Sequence, residues 1–123
     1  MQEVLTQIPK LTGLSGDDSM TFPLMKLGGK GIISVVSNLV PRDVNELVQA
    51  SLKKDFAKAQ AINEKLAPLV SALFIETNPI PVKQALDWCG LYGGGYRLPM
   101  CEMTEENKSK LRLALQNYGG LLK

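Results

Sequence analysis

The sequence predicts an α/β chain in which two parallel strands are followed by a helical region, and three observations lead there. The run Gly31-Ile32-Ile33-Ser34-Val35-Val36 is β-branched, apolar on both faces and bounded by glycine. Such a run suits a strand buried in a parallel sheet covered by helices. A shorter strand pattern precedes it with a helix between, so strand, helix and strand fit within about 25 residues as one βα unit opening onto a second. Beyond residue 36 the apolar period changes from two to threes and fours and stays helical.

In chain order, residues 1–8 place Val4, Leu5 and Ile8 on one helical face, ended by Pro9, with no capping residue in front. Residues 11–15 read as a short strand followed by the turn formers Gly16-Asp17-Asp18. Both aspartates suit the N-terminus of the next helix, where the backbone dipole favours negative charge. That helix carries Pro23 in its first turns, runs to about Leu27 and stops at Gly28-Gly29. The strand over 31–36 comes next. Asp43 and Glu46 have capping-box spacing before Val44, Leu47, Val48 and Leu52. A long amphipathic helix then begins near Asp55, with Phe56, Ala59, Ile62, Leu66, Leu69, Val70 and Leu73 on its apolar face and a bend expected at Pro68. Asn78-Pro79-Ile80-Pro81 caps a helix through Val82, Ala85, Leu86 and Cys89 that ends at Gly90. After a glycine- and proline-rich loop over 91–103, Thr104 caps a last helix carrying Leu111, Ala114, Leu115 and Tyr118.

Two parallel strands alone make a poor sheet, because both outer edges stay unpaired. The apolar faces of so many helices also need more surface than two strands supply. The pattern therefore reads as part of a larger fold, entered in the middle.

Composition narrows the function classes. Basic and acidic residues are interleaved, with a net charge of +2, and Lys53-Lys54 is the only adjacent basic pair. No field steers nucleic acid or anionic lipid. The N-terminus lacks the basic and apolar regions of a signal peptide, and no apolar run approaches the ~20 residues of a membrane span. Cys89 and Cys101 form neither a disulfide framework nor a CxxC motif, so reduced cytoplasmic thiols are expected. The chain has no histidine, which removes the commonest general base, any Ser-His or Cys-His pair, and the usual zinc ligand.

Four pieces in order and at matching spacing, Leu14-Ser15-Gly16-Asp17-Asp18, Gly28-Gly29-Lys30-Gly31-Ile32-Ile33-Ser34-Val35, Asn78-Pro79-Ile80-Pro81-Val82-Lys83 and Arg97-Leu98-Pro99, resemble dihydrodipicolinate synthase over nearly the whole chain. Related class I aldolases such as N-acetylneuraminate lyases usually depart from the SGDD and NPIPVK wording, which favours the synthase branch. The resemblance implies a partial (β/α)8 barrel followed by a C-terminal helical region. Residues 1–53 would run from the helix after strand six, through strands seven (11–15) and eight (31–36), into the last barrel helix. Residues 54–123 would be the helical region.

The family joins pyruvate to a lysine as a Schiff base and condenses it with aspartate semialdehyde, in lysine and diaminopimelate biosynthesis. A neutral amine attacks the ketone, and the iminium then draws electrons from the adjacent methyl so that it becomes an enamine nucleophile. The resemblance places that lysine on strand six, with the proton-relaying tyrosines and threonine and the carboxylate-binding arginine on earlier strands. It therefore gives this chain no catalytic residue, no cofactor and no metal. Lys30 does not substitute, since it lies at the N-terminal end of its strand whereas barrel active sites lie at the C-terminal end. The surrounding Gly28-Gly29-Lys30-Gly31 is a helix stop and turn rather than a P-loop.

What the resemblance does carry over is substrate-binding wall. Ile33 matches a residue whose backbone contacts bound pyruvate, Gly16 a pocket-lining position after strand seven, and Asn78 an asparagine near the site. Each also has a structural reading, as strand core, turn glycine and helix N-cap. Asp17 and Asp18 could be an acid/base or metal pair, but adjacent residues on a turn point apart, and capping is the simpler account. Tyr92, Tyr96 and Cys89 read as packing or surface residues.

Three functions follow. The first is a synthase-family chain, inactive alone, whose substrate is of pyruvate type. The second is a binding or structural piece that complements a separate N-terminal part or associates with itself through open strand edges. The third is a related pyruvate-dependent aldolase resembling an N-acetylneuraminate lyase. An intact small enzyme with its own site is disfavoured by the lack of a strand lysine.

Overall fold

The structure is a computed structural model that describes residues 2–8, 10–91 and 94–122. Met1, Pro9, Tyr92 and the side chain of Leu5 entered the sequence reading but lie outside the described residues. The elements run α1 (Gln2–Gln7), β1 (Leu14–Ser15), α2 (Thr21–Lys26), β2 (Gly31–Ile32), α3 (Pro41–Leu52), α4 (Phe56–Leu73), α5 (Ile80–Trp88) and α6 (Glu105–Tyr118), with 3-10 turns at Asp18–Met20 and Val36–Asn38. The chain forms two compact units, Met1–Leu66 and Ala67–Lys123. No described helix is long and apolar enough to cross a membrane.

In the first unit β1 and β2 pair in parallel, Leu14 opposite Gly31 and Ser15 opposite Ile32, with α2 as the connection between them. The core gathers Phe22, Leu24 and Met25 of α2, Val36, Leu39 and Val40, and Val44, Leu47 and Ala50 of α3, all buried. Gly28 ends α2 at φ +97°, a conformation that costs glycine little and other residues more.

Both strands are shorter than the sequence predicts, and the second shows why. Strand character was expected to Val36, but the backbone N–H groups of Val35 and Val36 donate to the Asp18 carboxylate at 2.9 and 3.2 Å. Amides held by a side chain cannot pair with a neighbouring strand, so the chain turns into a 3-10 turn instead. Nor is the sheet covered throughout, since Leu14 and Ile33 are 44% and 71% exposed.

A second difference lies at α3. Pro41 occupies the first turn and Val40 the N-cap position without a side-chain bond. Pro is preorganised for that place, and its missing N–H would be unpaired there anyway. The expected capping box does not form. Asp43 pairs with Lys65 at 2.7 Å and Glu46 with Lys58 at 2.6 Å. Asp55 does begin α4, its Oδ1 accepting from Lys58 N at 3.1 Å. Helix α4 is continuous through Pro68.

The second unit buries Leu69, Ala72 and Leu73, Ile80, Val82 and Ala85 of α5, and Leu111 and Leu115 of α6. Thr104 caps α6 as predicted, accepting from Asn107 N at 3.3 Å. Glu76 reinforces that start by accepting from Thr104 N at 3.1 Å and Asn107 Nδ2 at 2.8 Å.

Candidate functional site

Parallel pairing decides where the chemistry-bearing wall can lie. The residues that follow β1 and β2 leave the sheet at the same, C-terminal end, and these are Gly16 and Ile33. The two chains stay linked there, since Ile33 N donates to the Ser15 carbonyl at 2.8 Å. Both residues are exposed, and a Cβ placed on Gly16 would meet no heavy atom within 4 Å. A cavity of about 310 Å³ runs beside β2 against α3, lined by Leu14, Ile32, Ser34, Val44 and Val48 among others.

The backbone on each side of this wall is held by side chains. After β1, Ser15 Oγ donates to Asp17 O at 2.7 Å and accepts from Asp17 N at 3.2 Å, spanning Gly16. Asp17 then caps the 3-10 turn, accepting from Ser19 N at 2.8 Å and Ser19 Oγ at 2.6 Å. The Ser19 hydroxyl and then its N–H hold the Asp17 carboxyl below its ordinary value.

Asp18 behaves differently from its neighbour. It is buried, and besides the two amides it accepts from Ser34 Oγ at 2.5 Å. Both aspartates sit at the helix start that the sequence predicts, but only the Asp17 side chain caps it, while that of Asp18 turns to residues 34–36. The partners of Asp18 lie 16 to 18 positions away, so no local pattern announces them. Among the described residues no group of three or more His, Cys, Asp or Glu could hold a metal ion.

Lysine is the residue type that imine chemistry requires, and none of the described lysines is buried. Lys30 is exposed at the N-terminal end of β2, away from Gly16 and Ile33. Lys83 is half-buried, donating to Gly95 O at 2.8 Å with its ammonium 5.2 Å from the centre of the Tyr96 ring. Lys58 and Lys108 are shifted, and both move up, away from the neutral form. A hydrogen bond from Lys58 to Glu46 raises one, and a hydrogen bond from Lys108 to Glu105 raises the other.

Asn78 belongs to the second unit and is exposed. It does not cap α5 as expected, because Pro79 takes the N-cap position and no side chain closes that helix start. Cys89 is buried, as a packing residue should be, Cys101 is exposed, and neither is in a disulfide.

With this geometry in hand, likeness to known proteins becomes specific. A model of the dihydrodipicolinate synthetase family matches residues 1–118. The chain is 54% identical over 110 residues to the 4-hydroxy-tetrahydrodipicolinate synthase of Methanocaldococcus jannaschii, covering 89% of this chain and 38% of that protein. The crystal structure of dihydrodipicolinate synthase from Aquifex aeolicus matches 99% of this chain and 42% of its own, with a TM-score of 0.96 and 47% identity. The chloride-inhibited dihydrodipicolinate synthase of Acinetobacter baumannii, solved in complex with pyruvate, matches 96% of this chain and 41% of its own, with a TM-score of 0.92 and 39% identity. These structures mark the fold as TIM-barrel type, and the chain spans 38 to 42% of the length of the three relatives. Matched along nearly all of its residues by one family model, the chain belongs to the dihydrodipicolinate synthetase family.

Proposed function

We propose that this chain forms the closing part of a 4-hydroxy-tetrahydrodipicolinate synthase barrel and supplies wall, rather than the nucleophile, to the condensation of pyruvate with aspartate semialdehyde. Residues 1–53 are the barrel part, with β1 and β2 as strands seven and eight, and residues 54–123 are the C-terminal helical region. The observation that carries the reading is the placement of Gly16 and Ile33 side by side beyond the C-terminal ends of two parallel strands, the end at which barrel enzymes build their sites. Gly16 leaves space for substrate and the Ile33 backbone contacts pyruvate, and the family likeness adds Asn78 as a substrate-binding residue.

The amine comes from outside residues 1–123. A lysine that attacks a ketone must be neutral, and desolvation is the usual means. The described lysines all meet water, and the shifted ones favour the ammonium form. The chain accordingly works with polypeptide that completes the barrel, in a homo-oligomer or as a complementing piece, in the cytoplasm. Exposed apolar side chains at Val4, Ile8, Leu11, Leu14 and Ile33 support such a partner.

Two mass measurements and one assay test this. The chain incubated with pyruvate and borohydride is expected to stay unmodified. A chimera in which it replaces the matched segment of the Methanocaldococcus jannaschii relative is expected to form the reduced adduct and to condense the two substrates. A stable adduct on one lysine of the chain alone overturns the reading, and so does a folded chimera with neither adduct nor condensation.

A further inference from the structure

Resting on that reading, we propose that Asp18 is a positioning residue for the pyruvate wall, acting through the backbone on the C-terminal side of Ile33. Ile33 is bracketed. On its amino side its N–H is fixed by the Ser15 carbonyl at 2.8 Å. On its carboxyl side the next three residues are gripped by one carboxylate: Ser34 through Oγ at 2.5 Å, and Val35 and Val36 through their N–H groups at 2.9 and 3.2 Å.

The grip extends further. Ser34 Oγ accepts from Ser37 N at 2.8 Å, and Ser37 Oγ donates back to Ser34 O at 3.1 Å. Between two such anchors the peptide joining Ile33 to Ser34 has little freedom to rotate, and the direction of the Ile33 carbonyl follows. Asp18 also opens the 3-10 turn that leads away from Gly16. One side chain thus couples the two residues that form the wall.

A carboxylate suits this place and an amide does not. Three donors converge on two oxygens that only accept, and each bond is strengthened by the charge. An asparagine of the same shape either turns its NH2 against the Val35 and Val36 amides, or keeps its oxygen there and donates its NH2 to Ser34 Oγ, whose hydroxyl then loses the charged acceptor it now has. The backbone of residues 34–36 then moves, and the Ile33 carbonyl moves with it.

Asp18→Asn in the chimera described above tests the assignment by steady-state kinetics. A backbone contact that serves bound pyruvate and the transition state alike should appear mainly in KM. The expected result is a KM for pyruvate raised about tenfold or more with kcat within about threefold. Ser34→Ala, which removes the bond to Asp18 and the one accepted from Ser37 N but leaves the Val35 and Val36 amides held, should raise it by roughly three- to fivefold. A role confined to folding would lower the melting temperature of both variants and leave KM alone, and that result overturns the proposal while sparing the proposed function. If Asp18→Asn does not fold, Ser34→Ala decides in the same way. An unsubstituted chimera that folds without activity removes both.

Discussion

Replacing Gly29 with alanine should destabilise the first unit far more than the same change at Gly16. An ideal Cβ on Gly29 would lie 2.7 Å from Leu24 Cγ, 2.9 Å from Leu24 O and 3.1 Å from Leu24 C. The leucine side chain could rotate away, but its carbonyl cannot, because it accepts from Leu27 N at 3.0 Å and Gly29 N at 2.9 Å to close α2. Relief therefore opens the turn. One lost backbone hydrogen bond costs about 1 kcal/mol, and overpacking a buried residue costs about 1–3 kcal/mol. A total of about 2–4 kcal/mol corresponds to a fall in melting temperature of roughly 8–16 °C for a chain of this size. Gly16 meets nothing within 4 Å and has no left-handed backbone, so alanine there should cost less than about 0.5 kcal/mol. Thermal unfolding followed by far-ultraviolet circular dichroism compares the two. Equal melting temperatures for Gly29→Ala and the parent would refute the steric argument and leave the second glycine of the pair unexplained.

Lys54 sits at φ +62° in the turn between α3 and α4, a left-handed conformation that costs a β-carbon-bearing residue about 1 kcal/mol, so Lys54→Gly should raise the unfolding midpoint in urea by a corresponding amount. The Glu76 carboxyl is held below its ordinary value of 4.5, chiefly by the Asn107 side chain and further by the N–H and hydroxyl of Thr104. Because the folded pKa is the lower one, this stabilisation is fully present above pH 4.5 and lost as the pH falls through the folded value; Glu76→Gln should flatten that acid limb of the stability profile. Leu111→Ala, at a position with no exposed surface, should cost about 2–5 kcal/mol in chemical denaturation, whereas Leu113→Ala, 58% exposed on the same helix, should cost less than about 0.5 kcal/mol.

Most helices were legible because their signals are local. Thr104 caps α6, Asp55 opens α4 and Gly28 closes α2 at the positions their residue types predict. The failures share one cause, which is competition decided by a residue the local rule did not rank. Pro41 took the start of α3 and freed Asp43 and Glu46 for lysines elsewhere on the unit, and Pro79 displaced Asn78 as the cap of α5. The strand over 31–36 stopped at Ile32 because a carboxylate 17 positions before Val35 claims its amide. The candidate site was legible only through resemblance. A glycine and an isoleucine have no chemical signature, and their adjacency exists only once the two strands pair in register.

That absence of signature has a physical meaning for catalysis. Imine chemistry needs a single neutral amine, but it also needs a bound ketone held at a fixed distance and angle from that amine, and orientation alone contributes several kcal/mol. Backbone groups can supply the second requirement without any titratable side chain, provided that their peptide planes cannot turn. In this chain the plane before Ile33 is anchored by the Ser15 carbonyl and the plane joining Ser34 to Val35 by Asp18, while the isoleucine side chain itself stays 71% exposed. On the proposed reading the functional demand falls on the anchors rather than on the residue assigned to contact pyruvate. A change at position 33 that preserves the backbone should be milder than a change at position 18, although only position 33 would be named as a contact.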